Sequence, residues 1–201
     1  MLELVLSVDL YHTDLNFMLR VKELLKQVIL IPKNLLKLAK KTSKAIKNSE
    51  ELQKLHKAVG NSDVRITTPE NLKAVGSRRI GVIDGSMYDL KDGQMSAGYT
   101  GVIQRSGFKT SDGSIGFRTY NIISRSAFAS AEKLFLTLGH ELTHSIHYFS
   151  GEYVRWGNSQ NSDDAHNMSE KAAYAWELNY ATSHKWDGYI NDIQKALEEY
   201  D

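Results

Sequence analysis

Residues 129–151 read ASAEKLFLTLGHELTHSIHYFSG, and this stretch decides the fold. Ala131, Leu134, Phe135, Leu138, Leu142, Ile146 and Phe149 recur at spacings of three and four. That is the period of one apolar stripe along an α-helix. Gly151 is placed to stop it. Leu142 belongs to the stripe, while His140 and His144 lie off it. The predicted helix therefore turns its apolar side to a core and carries its histidines on a different face.

His140-Glu141-Leu142-Thr143-His144 sits in the middle of that helix. Two histidines four apart stand one above the other, about a turn apart, so both rings can reach one ion. Glu141 is beside them and within reach of a water on that ion. This is the pattern of two zinc ligands and a general base. A catalytic zinc needs a third protein ligand and an open position. Residue 147 is His and residue 150 is Ser, so the extension His-x-x-Gly-x-x-His fails at its glycine and at its last histidine. A carboxylate from a later helix is expected instead. Glu170 is the leading candidate, ahead of Glu177, with His147, His166, Asp163 and Asp164 behind them. Glu177 has a second role open to it, as a hydrogen-bond acceptor behind a ligand.

Working outward, residues 61–125 change character. Segments 64–67, 79–83, 99–103 and 115–122 alternate β-branched or aromatic residues with polar ones and read as strands. Asp84-Gly85, Asp92-Gly93 and Asp112-Gly113 are turn signals between them. The strand beginning at Tyr99 could also be an edge against which an extended substrate pairs, although an ordinary sheet strand accounts for it as well. Upstream, 15–30 and 35–47 have helical spacing with Pro32 between them, and a short helix capped by Ser49 should end at Gly60. Downstream, a polar loop over 157–167 is expected, then a helix capped by Ser169 and running to Tyr180, then a helix over 187–200. Helices, strands, then helices predict an α+β fold. In it a small mixed or antiparallel sheet packs against the motif helix and the later helices. The expected division is a lysine-rich helical segment, 1–60, and a metallopeptidase domain, 61–201.

The chain has 201 residues and no cysteine, so disulfides, thiolate metal sites and thiol catalysis are excluded. Net charge is +1, which gives no strong bias towards nucleic acid or membrane. No apolar run approaches the ~20 residues of a membrane span. The first ten residues contain Glu3 and Asp9 and no basic segment, so no signal peptide is expected, and the chain reads as soluble.

Residues 140–151, with Ser169-Glu170-Lys171-Ala172-Ala173-Tyr174-Ala175-Trp176-Glu177 downstream, resemble the gluzincin group of zincin metallopeptidases. Within it they most resemble metallopeptidase toxin domains at the C-termini of bacterial Rhs-type polymorphic toxins, and lethal-factor-like effectors. The resemblance covers roughly 125–185. It implies one zinc ion, held by His140, His144 and Glu170, with Glu141 as the base of an endopeptidase. It also implies a Tyr or His donor to the transition state: Tyr174, Tyr148, Tyr153 or His147. Tyr174 is carried forward as the catalytic candidate. The implied partners are a protein or peptide substrate and, for a delivered toxin or effector, a carrier protein and a cognate immunity protein. The second reading is a catalytically silent module of the same fold that binds through its basic N-terminal helices.

Overall fold

The computed structural model describes residues 33–60, 63–66, 80–83, 86–89, 95–103, 106–159 and 162–200. The helix expected at 15–30 lies outside these residues, as do the turn signals Asp84-Gly85 and Asp92-Gly93. The chain begins, within them, with α1 (Lys33–Asn48) and α2 (Glu50–Ala58). Ser49 caps α2, its Oγ accepting from the Leu52 amide at 3.1 Å, and Gly60 ends the segment at φ +63°. Ala45, Ile46 and Leu55 turn inward, while Lys37, Lys40, Lys41, Lys44, Lys47, Lys54 and Lys57 stay exposed.

Strands follow: β1 (Asp63–Ile66), β2 (Ile80–Ile83), β3 (Ser86–Asp89), β4 (Met95–Ser96), β5 (Gly98–Val102), β6 (Phe108–Lys109), β7 (Ile115–Gly116) and β8 (Thr119–Ile123). One mixed sheet has the order β1-β8-β5, with β1 parallel and β5 antiparallel to β8. A second runs β2-β3-β4, and β6 pairs with β7. The single strand expected over 115–122 is two strands. At the break the Phe117 amide donates to the carbonyl of Tyr148 at 2.9 Å instead of to a neighbouring strand. That bond satisfies one of the open carbonyls at the end of the motif helix, so helix docking interrupts the ladder.

A 3-10 turn (Arg125–Ala129) leads into the motif helix, α3 (Ala131–Phe149), capped by Ser130 and stopped by Gly151 at φ +75°. Then come α4 (Glu152–Ser159), α5 (Ser162–Ser183) and α6 (Asp187–Glu198). The polar loop expected over 157–167 is mostly helix. α4 runs through Gly157, and α5 starts at Ser162 rather than beyond Ser169. α4 lies beside the first turns of α5, where a Cβ at Gly157 would make an ordinary 3.9 Å contact with the Ala165 Cβ. Glu170 therefore lies inside α5 and not in its first turn, and Ser169 is a buried mid-helix residue and not a cap.

The fold is mixed α+β. Its main core joins Leu52 of α2, Val59 just beyond its end, Ile123 of β8, Ala127, and Leu134, Leu138 and Leu142 of α3. A second cluster joins Leu136 to Ala181 and Ile193, where α5 and α6 cover the other side of α3. The motif helix is thus buried nearly all round. Among the described residues no helix is long and apolar enough to cross a membrane.

Candidate metal centre

α3 meets the sheet on one side and α5 on the other, and the site forms between them. His140 and His144 face α5, and both are buried. From α5, Glu170 reaches back to them. Its Oε2 is 3.3 Å from His140 Nε2 and its Oε1 is 3.4 Å from His144 Nε2. The donor atoms of these three side chains all lie within 4.8 Å of one another. Zinc–ligand distances of about 2.0–2.2 Å place neighbouring donors of a tetrahedron about 3.3–3.6 Å apart. The spacing of the two rings from the carboxylate therefore suits an ion, and two nitrogens with one oxygen is a donor set that a metal accepts.

Each ring is also held from behind. His140 Nδ1 is 2.6 Å from Glu177 Oε1. An ionised carboxylate can only accept, so Nδ1 carries the proton and Nε2 is the nitrogen turned towards Glu170. His144 Nδ1 is 2.7 Å from Ser169 Oγ. Burial alone would pull the His140 pKa down, but hydrogen bonds with Glu170 and Glu177 outweigh it and hold the ring well above the ordinary histidine value. Burial likewise pushes Glu170 up, and the two histidines outweigh it, so this carboxyl stays well below the usual range.

Glu141 points the other way, towards the sheet. By strand alternation Gly98, Thr100 and Val102 of β5 share one face with Thr119, Asn121 and Ile123 of β8. Thr100 Oγ1 lies 2.6 Å from Glu141 Oε2 and 2.9 Å from the Glu141 carbonyl. Its single proton goes to the closer, charged acceptor. Asn121 Nδ2 donates to the Glu141 carbonyl at 2.9 Å, and also approaches Thr100 Oγ1 and Ser145 Oγ. Thr119 Oγ1 donates to Ser145 Oγ at 2.8 Å. Glu141 Oε1 lies over Gly98, where any Cβ would collide with it. Burial raises the Glu141 pKa, and the charges of His140 and His144 and the Thr100 hydroxyl only partly offset this. The rings of His140 and His144, four residues apart, thus turn to α5, and the carboxylate of Glu141, one residue on from His140, turns to β5.

A cleft of about 390 Å³ opens beside these groups, lined among others by Gly98, His140, Glu141, Tyr174, Tyr189 and Ile193. β5 lies at one end of its sheet, paired with β8 on one side. Tyr174 places its ring edge-on against His140, centroids 4.7 Å apart. Burial, reinforced by the Glu170 and Glu177 carboxylates, holds its phenol protonated well beyond the ordinary tyrosine range. Comparisons with protein-family models, with curated proteins and with solved structures gave no match.

The other sequence candidates have different surroundings. His166 Nδ1 is 3.7 Å from Glu170 Oε1, at the rim of the cluster. His147 turns its Nδ1 to Ser169 at 2.9 Å and packs on Trp156, and burial with the charge of His144 pushes its pKa down to about 4. Tyr148 and Tyr153 stack on each other with centroids 4.3 Å apart. Asp164 is half-buried and is not a member of the three-residue cluster, and the Asp163 side chain lies outside the description. Gly98, Thr100, Asn121 and Ser169 are the site residues that sequence reasoning did not find. Ser169 adjoins Glu170, which was its one local signal. The others depend on the register of β5 against β8.

Proposed function

We propose that this chain is a zinc-dependent endopeptidase of the zincin type. The observation that carries the reading is the convergence of His140, His144 and Glu170, with donor atoms within 4.8 Å of one another, and Glu141 held out of that cluster and next to the cleft. In this reading the two Nε2 atoms and the Glu170 carboxylate bind the ion. A bound zinc supplies a polarised carbonyl oxygen and a water acidified to a pKa of about 7. Glu141 takes the proton of the attacking water on its carboxylate, with Thr100 fixing Oε2, and returns it to the leaving amine. The Tyr174 hydroxyl, kept protonated, donates to the oxygen that gains charge. β5 offers backbone groups to an extended substrate. A delivered toxin or effector acting on protein is the biological setting we propose, on the resemblance of residues 125–185.

The test combines metal content with turnover of a peptide library. The wild-type chain should carry one zinc. Glu141→Gln should keep it while turnover falls about 10²–10⁴-fold, the scale of lost general-base catalysis. A wild-type chain that takes up no zinc, or a Glu141→Gln chain with full turnover, overturns the reading.

A further inference from the structure

Behind His144, on the side of its ring away from Glu170, two buried side chains meet that the proposed hydrolysis does not use, Ser169 and His147. Ser169 is 1% exposed at the middle of α5. Its Oγ is 2.7 Å from His144 Nδ1 and 2.9 Å from His147 Nδ1. The His147 ring is itself packed edge-on against Trp156, with centroids 4.9 Å apart. A hydroxyl has one proton and can accept with its lone pairs. It cannot donate to both rings at once.

Resting on the metal reading of the site, we propose that Ser169 is a positioning residue for His144 and that His147 sets its direction. His144 can offer its Nε2 lone pair to an ion only when its ring proton is on Nδ1. That proton then points at Ser169 Oγ, which accepts it. The serine proton turns to His147 Nδ1, which is bare, and His147 carries its own proton on Nε2. The hydrogen bonds run in one direction: His144 to Ser169 to His147. No bond to hydrogen breaks in this arrangement; it selects one tautomer for each ring.

His140 reaches the same result by a different chemistry, through the Glu177 carboxylate at 2.6 Å. The two rings therefore differ. One leans on a charged acceptor, the other on a neutral hydroxyl and a second imidazole. A carboxylate in the place of Ser169 would add a negative charge beside Glu170, in a region where burial already raises the cost of charge. The neutral arrangement orients His144 without adding that charge. Such partners behind a ligating histidine typically change metal affinity 10–100-fold.

The experiment uses the full chain with zinc alone. In the zinc-loaded wild type, long-range ¹⁵N–¹H correlation spectra should show His144 protonated at Nδ1 and His147 protonated at Nε2. Ser169→Ala, which removes one oxygen and almost no volume, should weaken zinc affinity about 10–100-fold in a chelator competition. Ser169→Thr, which restores the hydroxyl, should recover most of the loss. His147→Leu should weaken binding less than Ser169→Ala and add little to it in the double variant. His147 protonated at Nδ1 in the loaded wild type overturns the arrangement, with no variant needed. So does a Ser169→Ala chain that binds zinc within about twofold of wild type. A wild-type chain that takes up no zinc fails the metal reading itself, which separates the two failures.

Discussion

At the scale of single residues, the site rests on one missing side chain. Gly98 pairs with Ile123 and faces α3, and the Glu141 carboxylate occupies the space its Cβ would fill. Thr100, two residues along on the same face, holds the other carboxylate oxygen. Gly98→Ala should therefore push Glu141 away from the cleft while leaving His140, His144 and Glu170 in place. Turnover is expected to fall by about 10²-fold or more, as for a displaced general base, with zinc content unchanged. Full turnover in this variant would mean that the carboxylate does not work from the position it holds here. The closeness of His140 and His144 was legible in the sequence because one helix carries both and four-residue spacing stacks them on one face. Gly98, Thr100 and Asn121 were not, because their partners are 20 to 43 residues away in the chain and are chosen by strand register.

At the scale of elements, α3 and α5 are held together by a close approach at Gly139. The Trp176 indole lies directly on it, where a Cβ would collide. A glycine inside a helix costs about 1 kcal/mol against alanine, so the close approach is what offsets it. Gly139→Ala gains helix propensity but overpacks the contact, at about 1–3 kcal/mol. Net destabilisation and a changed Trp176 emission are expected. Gly157 in α4 is the contrast, since its Cβ would meet only Ala165 at 3.9 Å, an ordinary contact. Gly157→Ala should stabilise by about 0.4–1 kcal/mol through the unfolded chain. Urea denaturation of both variants checks the pair, and shifts of the same sign would refute the packing account. The same elements show where sequence periodicity stopped. α3 was legible because its stripe and its Gly151 stop agree, while its Ser130 cap emerges only in the structure. The start of α5 was not. Its first turns are polar, and they are helical because α4 packs beside them through Gly157 and Ala165, a tertiary contact with no local signature.

For the whole molecule, the question is whether the lysine-rich helices are an appendage or part of the structure that holds the site. Leu52 is fully buried and Val59 is 4% exposed, in one cluster with Leu134, Leu138 and Leu142 of the motif helix. Composition marks a change near residue 60 because the outer face of α1 and α2 is lysine-rich, but their inner face joins the main core with β8 and α3. Truncating a buried leucine there removes contacts on the apolar side of the helix that carries His140 and His144. Leu52→Ala should cost about 2–5 kcal/mol, with none of the proposed ligands touched. The loss should appear as a single transition. Circular dichroism, Trp176 fluorescence and zinc release to a competing dye should all shift to the same lower denaturant midpoint. Below that midpoint the zinc content should equal that of wild type. If α1 and α2 unfolded as a separate unit, the dichroism would split into two steps, and zinc release would keep the wild-type midpoint. That result would make residues 61–201 self-sufficient. Coincident midpoints would instead place α2 in the cooperative unit that fixes the site.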